Sequence, residues 1–328
     1  MRLERLFLPS ERRLTPAGVL LLLGLLTLTA ATAFMTLGVK AGWSFILPFR
    51  GQKLAALVLV AYAVAVSTVL FQTLTNNRIL TPSIMGFDAL YVLLQTVLVF
   101  TLGSAFVTAM DPRLLFVGEV AIMAGFSLIL FQLLFSGAIK GLHLMMLVGI
   151  LLGALFRSLA GFLQRVIDPN EFVVLQDRFF ASFNSVDGTL LGVSALMIAG
   201  ASLAAWRLGH TFDVMALGRD SAIMLGVDHR RVTRQVLMII AVLVSVSTAL
   251  VGPVTFFGLL TANLAYLLMP SGRHRHVLPA AVLIAVICLV AGQTVLERLL
   301  SFSTALAIVI EFAGGLFFIF FLLKGARR

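Results

Sequence analysis

Apolar runs of about twenty residues recur along the whole of this chain, separated by short polar or proline-containing stretches. A run of that length crosses roughly 30 Å of hydrocarbon as an α-helix. In lipid the backbone has no water to bond to, so each crossing segment must satisfy its own amides in a helix or a closed barrel. Composition agrees: 60% of the 328 residues are hydrophobic and only 12% are charged, against roughly 25% charged in a soluble domain. The chain is therefore read as an all-α integral membrane protein. Its single transmembrane domain occupies 1–328, with no stretch left over for a separate soluble unit.

Ten candidate spans follow from the apolar runs: about 16–38, 53–75, 84–107, 113–136, 142–164, 188–207, 233–251, 254–269, 278–298 and 304–323. Their limits are set by Pro48, Pro82, Pro112, Pro169, Pro253, Pro270 and Pro279, and by charged or glycine-containing connections. Residues 1–13 carry four arginines ahead of an apolar run, which resembles a signal peptide. The run continues through Val39, too long for a cleaved hydrophobic region, so it is read as the first span. With the N-terminus inside, 16 basic residues fall on the cytoplasmic side and 8 outside, which places both termini in the cytoplasm. The net charge of +10 is thus a statement about topology, not about nucleic acid. Cys288 is the only cysteine, so no intrachain disulfide is possible.

Two connections stand out. One, about 211–234, would face the cytoplasm. It holds A-L-G-R-D-S-A-I-M-L-G-V from Ala216 to Val227, in which the apolar Leu217, Ala222 and Leu225 recur along a polar, short-helical stretch that a soluble partner could grip. Gly218 and Gly226 bracket that turn, and Asp220 or Ser221 could satisfy its free amides. The other, Arg165 to Asp187, falls outside and suits a short surface or re-entrant helix. Val64-Ala-Val-Ser-Thr68 is echoed by Val244-Ser-Val-Ser-Thr248, five residues that alone establish no repeat.

The pattern Leu217-Gly218-x-x-x-Ala222-x-x-Leu225-Gly226-Val227 resembles, without a mismatch, the coupling loop of FecCD-type iron-siderophore permeases of ABC importers, which share the cobalamin-importer fold. Gln72, Asn77, Pro82 and Gly86 match a second family segment, with Arg78 and Leu80 where Pro and Ala are usual. Gly252-Pro253-Val254-Thr255-Phe256-Phe257-Gly258-Leu259 is similar to a third. Departures occur at Ala262-Asn263-Leu264-Ala265-Tyr266, where P-H-x-x-R is usual, and at Gly314-Gly315-Leu316-Phe317-Phe318, which lacks its proline. They are similar to those of a branch importing catecholate siderophores.

The resemblance implies a type II importer permease of about ten helices in the bacterial inner membrane. It pairs with a second permease, identical or paralogous, with ABC ATPase subunits and with a periplasmic siderophore-binding protein. Leu217, Gly218, Arg219, Asp220, Ser221, Ala222, Leu225, Gly226 and Val227 would meet the ATPase. Arg50 and Arg298, with Lys53 as a weaker member, would receive acidic residues of the binding protein. ATP and magnesium would be held by the partner, and this chain would bind no cofactor and perform no chemistry.

The residues themselves support that division. No G-x-x-x-x-G-K-[ST], H-E-x-x-H or G-x-S-x-G occurs, so neither nucleotide binding nor hydrolytic chemistry is encoded here. Glu119, Arg157 and Glu311 lie within apolar runs, where an ionisable group must pair or face water. Glu119 and Arg157 are expected at similar depth and could form an ion pair, or line a substrate route. The same acids would serve a proton-coupled secondary transporter, the alternative reading. His274 and His276 alternate with arginines and are read as a solvated loop, not a metal site.

Overall fold

The computed structural model describes residues 15–39, 42–135, 142–184, 186–299 and 306–326. Among them every regular element is helical: α1 (Pro16–Thr36), α2 (Trp43–Thr75), a 3-10 turn (Pro82–Met85), α3 (Phe87–Leu102), α4 (Ser104–Ala109), α5 (Pro112–Phe135), α6 (Leu142–Gln164), α7 (Pro169–Asp177), α8 (Gly188–Arg207), α9 (Gly209–Met215), α10 (Arg219–Met224), α11 (His229–Val251), α12 (Phe257–Leu268), α13 (His274–Arg298) and α14 (Leu306–Ala326). Seven of these, α1, α2, α5, α6, α8, α11 and α13, are long and apolar enough to cross a membrane, while α3, α12 and α14 are shorter apolar helices. The expected surface helix after Arg165 is α7. Its Phe172 and the following Phe179 pack on a small cluster of Val99, Val107, Ile167 and Leu175.

Helix limits follow local chemistry. Thr15 caps α1 by accepting from the Gly18 amide at 3.2 Å, ahead of Pro16 in the first helical position. Asp187 caps α8 and Asp228 caps α11 through side-chain oxygens. Pro48 and Pro279, expected as boundaries, lie inside α2 and α13. Each sits in the second turn, where a missing N–H removes one bond near the helix end instead of breaking its middle.

The centre is formed by α2 and α11, with 67% and 72% of their apolar windows buried, against 11% for α1. One apolar cluster containing both runs from Leu23 to Ile310. Following the helices in and out gives two ends. Arg207, α9, α10, Thr75 and the first turn of α13 gather at one, the α10 end. Arg50, α7, Asp187 and Arg298 gather at the other, the α7 end.

Helix α6 meets the 3-10 turn through Gly149 and Gly153, a small-xxx-small face that lets two backbones touch. Gly86, with φ of +95°, closes the turn, and a Cβ there would stand 3.0 Å from the Gly153 Cα. Nothing flexible can yield at that contact. Gly153→Leu is expected to destabilise the permease by about 1–3 kcal/mol through overpacking, seen as a lower melting temperature in detergent. Gly161→Leu, about two turns along at a site with open space, should leave it unchanged.

Candidate functional site

At the α10 end the chain makes a hairpin of two short helices. Gly218, with φ of +95°, starts α10, and Gly226, with φ of +83°, ends it. The ending is a Schellman turn: the Val227 amide reaches the Ala222 carbonyl at 3.0 Å and the Gly226 amide reaches Ile223 at 2.9 Å. Only a residue without Cβ takes the left-handed position cheaply. Ala222 is fully buried, whereas Leu217, Ile223, Met224 and Leu225 are 62%, 50%, 87% and 63% exposed. The element therefore anchors by one alanine and presents an apolar knob. Asp220 and Ser221 do not cap α10 as expected, because Gly218 occupies the N-cap and no side chain bonds there. Arg219 and Asp220 are exposed in its first turn.

At the α7 end Arg50 and Arg298 converge on one corner, the C-terminus of α1. Arg50 Nη1 lies 2.9 Å from the Phe34 carbonyl and 3.0 Å from those of Met35 and Leu37. It thereby satisfies carbonyls that the helix leaves unbonded, where the helix dipole also favours a cation. Arg298 is exposed and reaches Gly38 O at 3.5 Å. Gly38 has φ of +61°, and a Cβ on it would run into the Arg298 guanidinium.

Lys53 has to be removed from the docking set. It is 7% exposed, and its ammonium donates to Glu297 Oε1 at 2.8 Å and Asn184 Oδ1 at 2.9 Å. Gln293 adds bonds to the same Asn184 and Glu297. This is an internal tie between α2, α13 and the segment before α8. Burial of the lysine stem and head leaves it out of reach of a soluble partner.

Between the ends lie two polar groups. Glu119 does not meet Arg157: it is 4% exposed and accepts from Gln95 Nε2 at 2.6 Å, while Arg178 donates to Gln95 Oε1 at 3.2 Å. The residue after α7 thus reaches into the bundle through α3 to α5. Arg157 and Glu311 are instead both within electrostatic reach of Asp88, whose Oδ2 accepts from Thr255 Oγ1 at 2.8 Å, with Ser83 close by. Thr255 lies in the non-helical stretch between α11 and α12, and Asp88 in the first turn of α3. A cavity of about 20 Å³ opens beside Asp88, lined by Ser67, Thr68, Ser83, Ser247 and Thr248 among others. The two V-x-V-S-T segments therefore face each other across it.

Asp88, in the first turn of α3, escaped sequence reasoning because its partner Thr255 lies 167 positions away. No group of three His, Cys, Asp or Glu that could hold a metal ion occurs among the described residues.

The chain superposes on an inward-facing ABC transporter of the metal-chelate type with a TM-score of 0.82, over 94% of this chain and 100% of that one, at 20% identity. That likeness shows the fold. The profile of the FecCD transport family matches residues 17–324, and the chain belongs to that family. It is 47% identical over 282 residues to the petrobactin import system permease protein YclO of Bacillus subtilis, covering 86% of this chain and 90% of that protein. It is 33% identical over 275 residues to the petrobactin import permease FatC of Bacillus anthracis, covering 84% and 78%. The hemin transport permease HmuU of Yersinia pestis is more distant, at 26% over 306 residues, covering 92% and 90%. The chain is thus a transport subunit, not an enzyme.

The two basic residues that sequence reading grouped can be separated by experiment. Lys53→Ala strands Glu297 without its cation and is expected to cost about 3–5 kcal/mol, the range for breaking a buried pair, read as loss of folded permease. Arg298→Ala should leave the melting temperature unchanged.

Proposed function

We propose that this chain is one half of the membrane channel of an importer for ferric catecholate siderophores, petrobactin or a close chemical relative. The observation that carries the reading is the Gly218-to-Gly226 helix: anchored by Ala222, with Met224 and Leu225 projecting, it suits a cleft on a cytoplasmic ATPase. The names of YclO and FatC support the substrate class.

In this reading ten helices cross the cell's inner membrane, α3, α12 and α14 included, and both termini lie on the α10 side, in the cytoplasm. The first turn of α1 and the last of α14 both point to that end, and the basic excess falls there. A second permease, identical or related, completes the channel, with lipid around the pair. The substrate arrives with a binding protein whose carboxylates meet Arg298 and the free edge of Arg50, an arrangement suited to directed guanidinium bonds. Arg157, Glu311 and Asp88 lie near the route of the chelate.

The permease does no chemistry. ATP and magnesium are bound by the partner, and ATP drives the cycle only because the ATPases bind it with different affinity in the two permease states. Neither a proton-coupling step nor a cofactor of its own is needed.

Uptake of radiolabelled iron as ferric petrobactin tests this. Gly226→Trp, whose φ of +83° a bulky residue adopts only with strain, should abolish both uptake and capture of the ATPase while the permease remains in the membrane. Uptake that survives ATP depletion but collapses with the proton gradient would overturn the assignment.

A further inference from the structure

The run Arg273-His274-Arg275-His276, read from sequence as solvated, contains one residue that is not. His274 is 4% exposed and is the first residue of α13. Asp213 of α9 holds it twice, its Oδ1 accepting from the His274 amide at 2.8 Å and from Nδ1 at 2.7 Å. The other ring nitrogen, Nε2, lies 2.6 Å from Thr73 Oγ1 in α2. The Phe212 ring, buried beside Asp213, stands 5.8 Å from the imidazole. Asp213 is an acid stronger than usual: partial burial works against its charge, but the His274 bonds outweigh that.

The chain of contacts continues. Tyr266 of α12 stands beside Thr73, and the Arg78 guanidinium lies 4.4 Å from the centre of the Tyr266 ring. The Arg78 carbonyl in turn accepts from Gln72 Nε2 at 2.8 Å and Asn263 Nδ2 at 3.1 Å. Arg78, Asn263 and Tyr266 are three of the positions where this sequence departs from the usual pattern, and they meet in one place. A single polar line therefore runs from α9 through α13 and α2 to α12.

Its starting point matters. Helix α10 is jointed by positive-φ glycines at both ends and among the described residues packs on α9 and α11. Helix α9 packs on α2, α8 and α13 as well as on α10, and so joins α10 to them. The His274 ring is buried while the Asp213 side chain is 40% exposed; hydrogen bonds to a buried imidazole are directional and costly to leave unmade, so they transmit a displacement or break, whereas apolar contacts can slide.

We propose that Asp213 and His274 are the strut that converts movement of α10 into movement of α13 and α2. They are positioning residues, acting on the channel through Thr73. The inference rests on the reading of α10 as the ATPase-docking helix.

The test uses the full complex with its ATPase and binding protein in lipid nanodiscs or vesicles, measuring ATP hydrolysis and ferric petrobactin transport together. Asp213→Ala and His274→Ala are expected to keep ATPase capture and hydrolysis while transport per ATP falls at least tenfold. The double variant should be no worse than either single. Asp213→Asn, which retains an oxygen for the His274 amide, should recover part of the ratio. An unchanged ratio in both single variants, effects that multiply in the double, or loss of ATPase capture would each overturn the strut. The docking reading is scored separately, by ATPase capture on the Gly226→Trp chain.

Discussion

Backbone that leaves helical geometry within a packed bundle must find its partners within the protein, and the centre of this fold is organised by that need. Two interruptions, one from Asn76 to Gly86 and one from Gly252 to Phe256, fall where α2 and α11 give way to the short helices α3 and α12. The first is closed by Gln72 and Asn263, both donating to the Arg78 carbonyl. The second is held where the Val251 carbonyl accepts from the Ser182 amide at 2.8 Å. The Thr255 to Asp88 bond then joins the two. Because α2 and α11 carry these breaks, they sit innermost, and the other long helices pack around them.

The two ends of the bundle are finished differently. At the α7 end, cations are fixed by fold-internal bonds: Arg50 on α1, Lys53 on Glu297, Arg178 on Gln95. Arg298 is the more exposed of the pair at the α1 corner. At the α10 end the exposed feature is apolar, on a helix of six residues held by one buried alanine. One end thus offers charge on a rigid frame, and the other offers a greasy knob on joints. These suit partners of different kinds, one that docks and leaves and one that stays and pushes.

Much of this was legible in the sequence. Each apolar run contains a helix, and the glycine spacing around Arg219 to Met224 marked α10 and its Schellman ending. What the pattern could not show was direction. In a helix that is apolar nearly all round, a polar residue has no amphipathic face to point from. Lys53 therefore looked like an outer docking residue until its partner 244 positions away was seen. Glu119 and Arg157 were matched by depth alone, but Gln95 and Asp88 intervened, and neither had drawn notice as an uncharged amide or a turn residue. His274 was misjudged because its arginine neighbours suggested solvent, while the Asp213 that buries it lies 61 positions upstream. The Gly149-x-x-x-Gly153 face went unread, because its partner is a turn and not a helix.

The arginine on the α1 corner also bears on how the chain is made. The final carbonyls of α1 have no donor of their own, and the one they receive is synthesised 13 to 16 positions later, within α2. Until Arg50 leaves the ribosome, the far end of α1 is an unfinished surface, poorly suited to resting in lipid. The first two helices are thereby tied into one hairpin whose far end is completed only when both are in place.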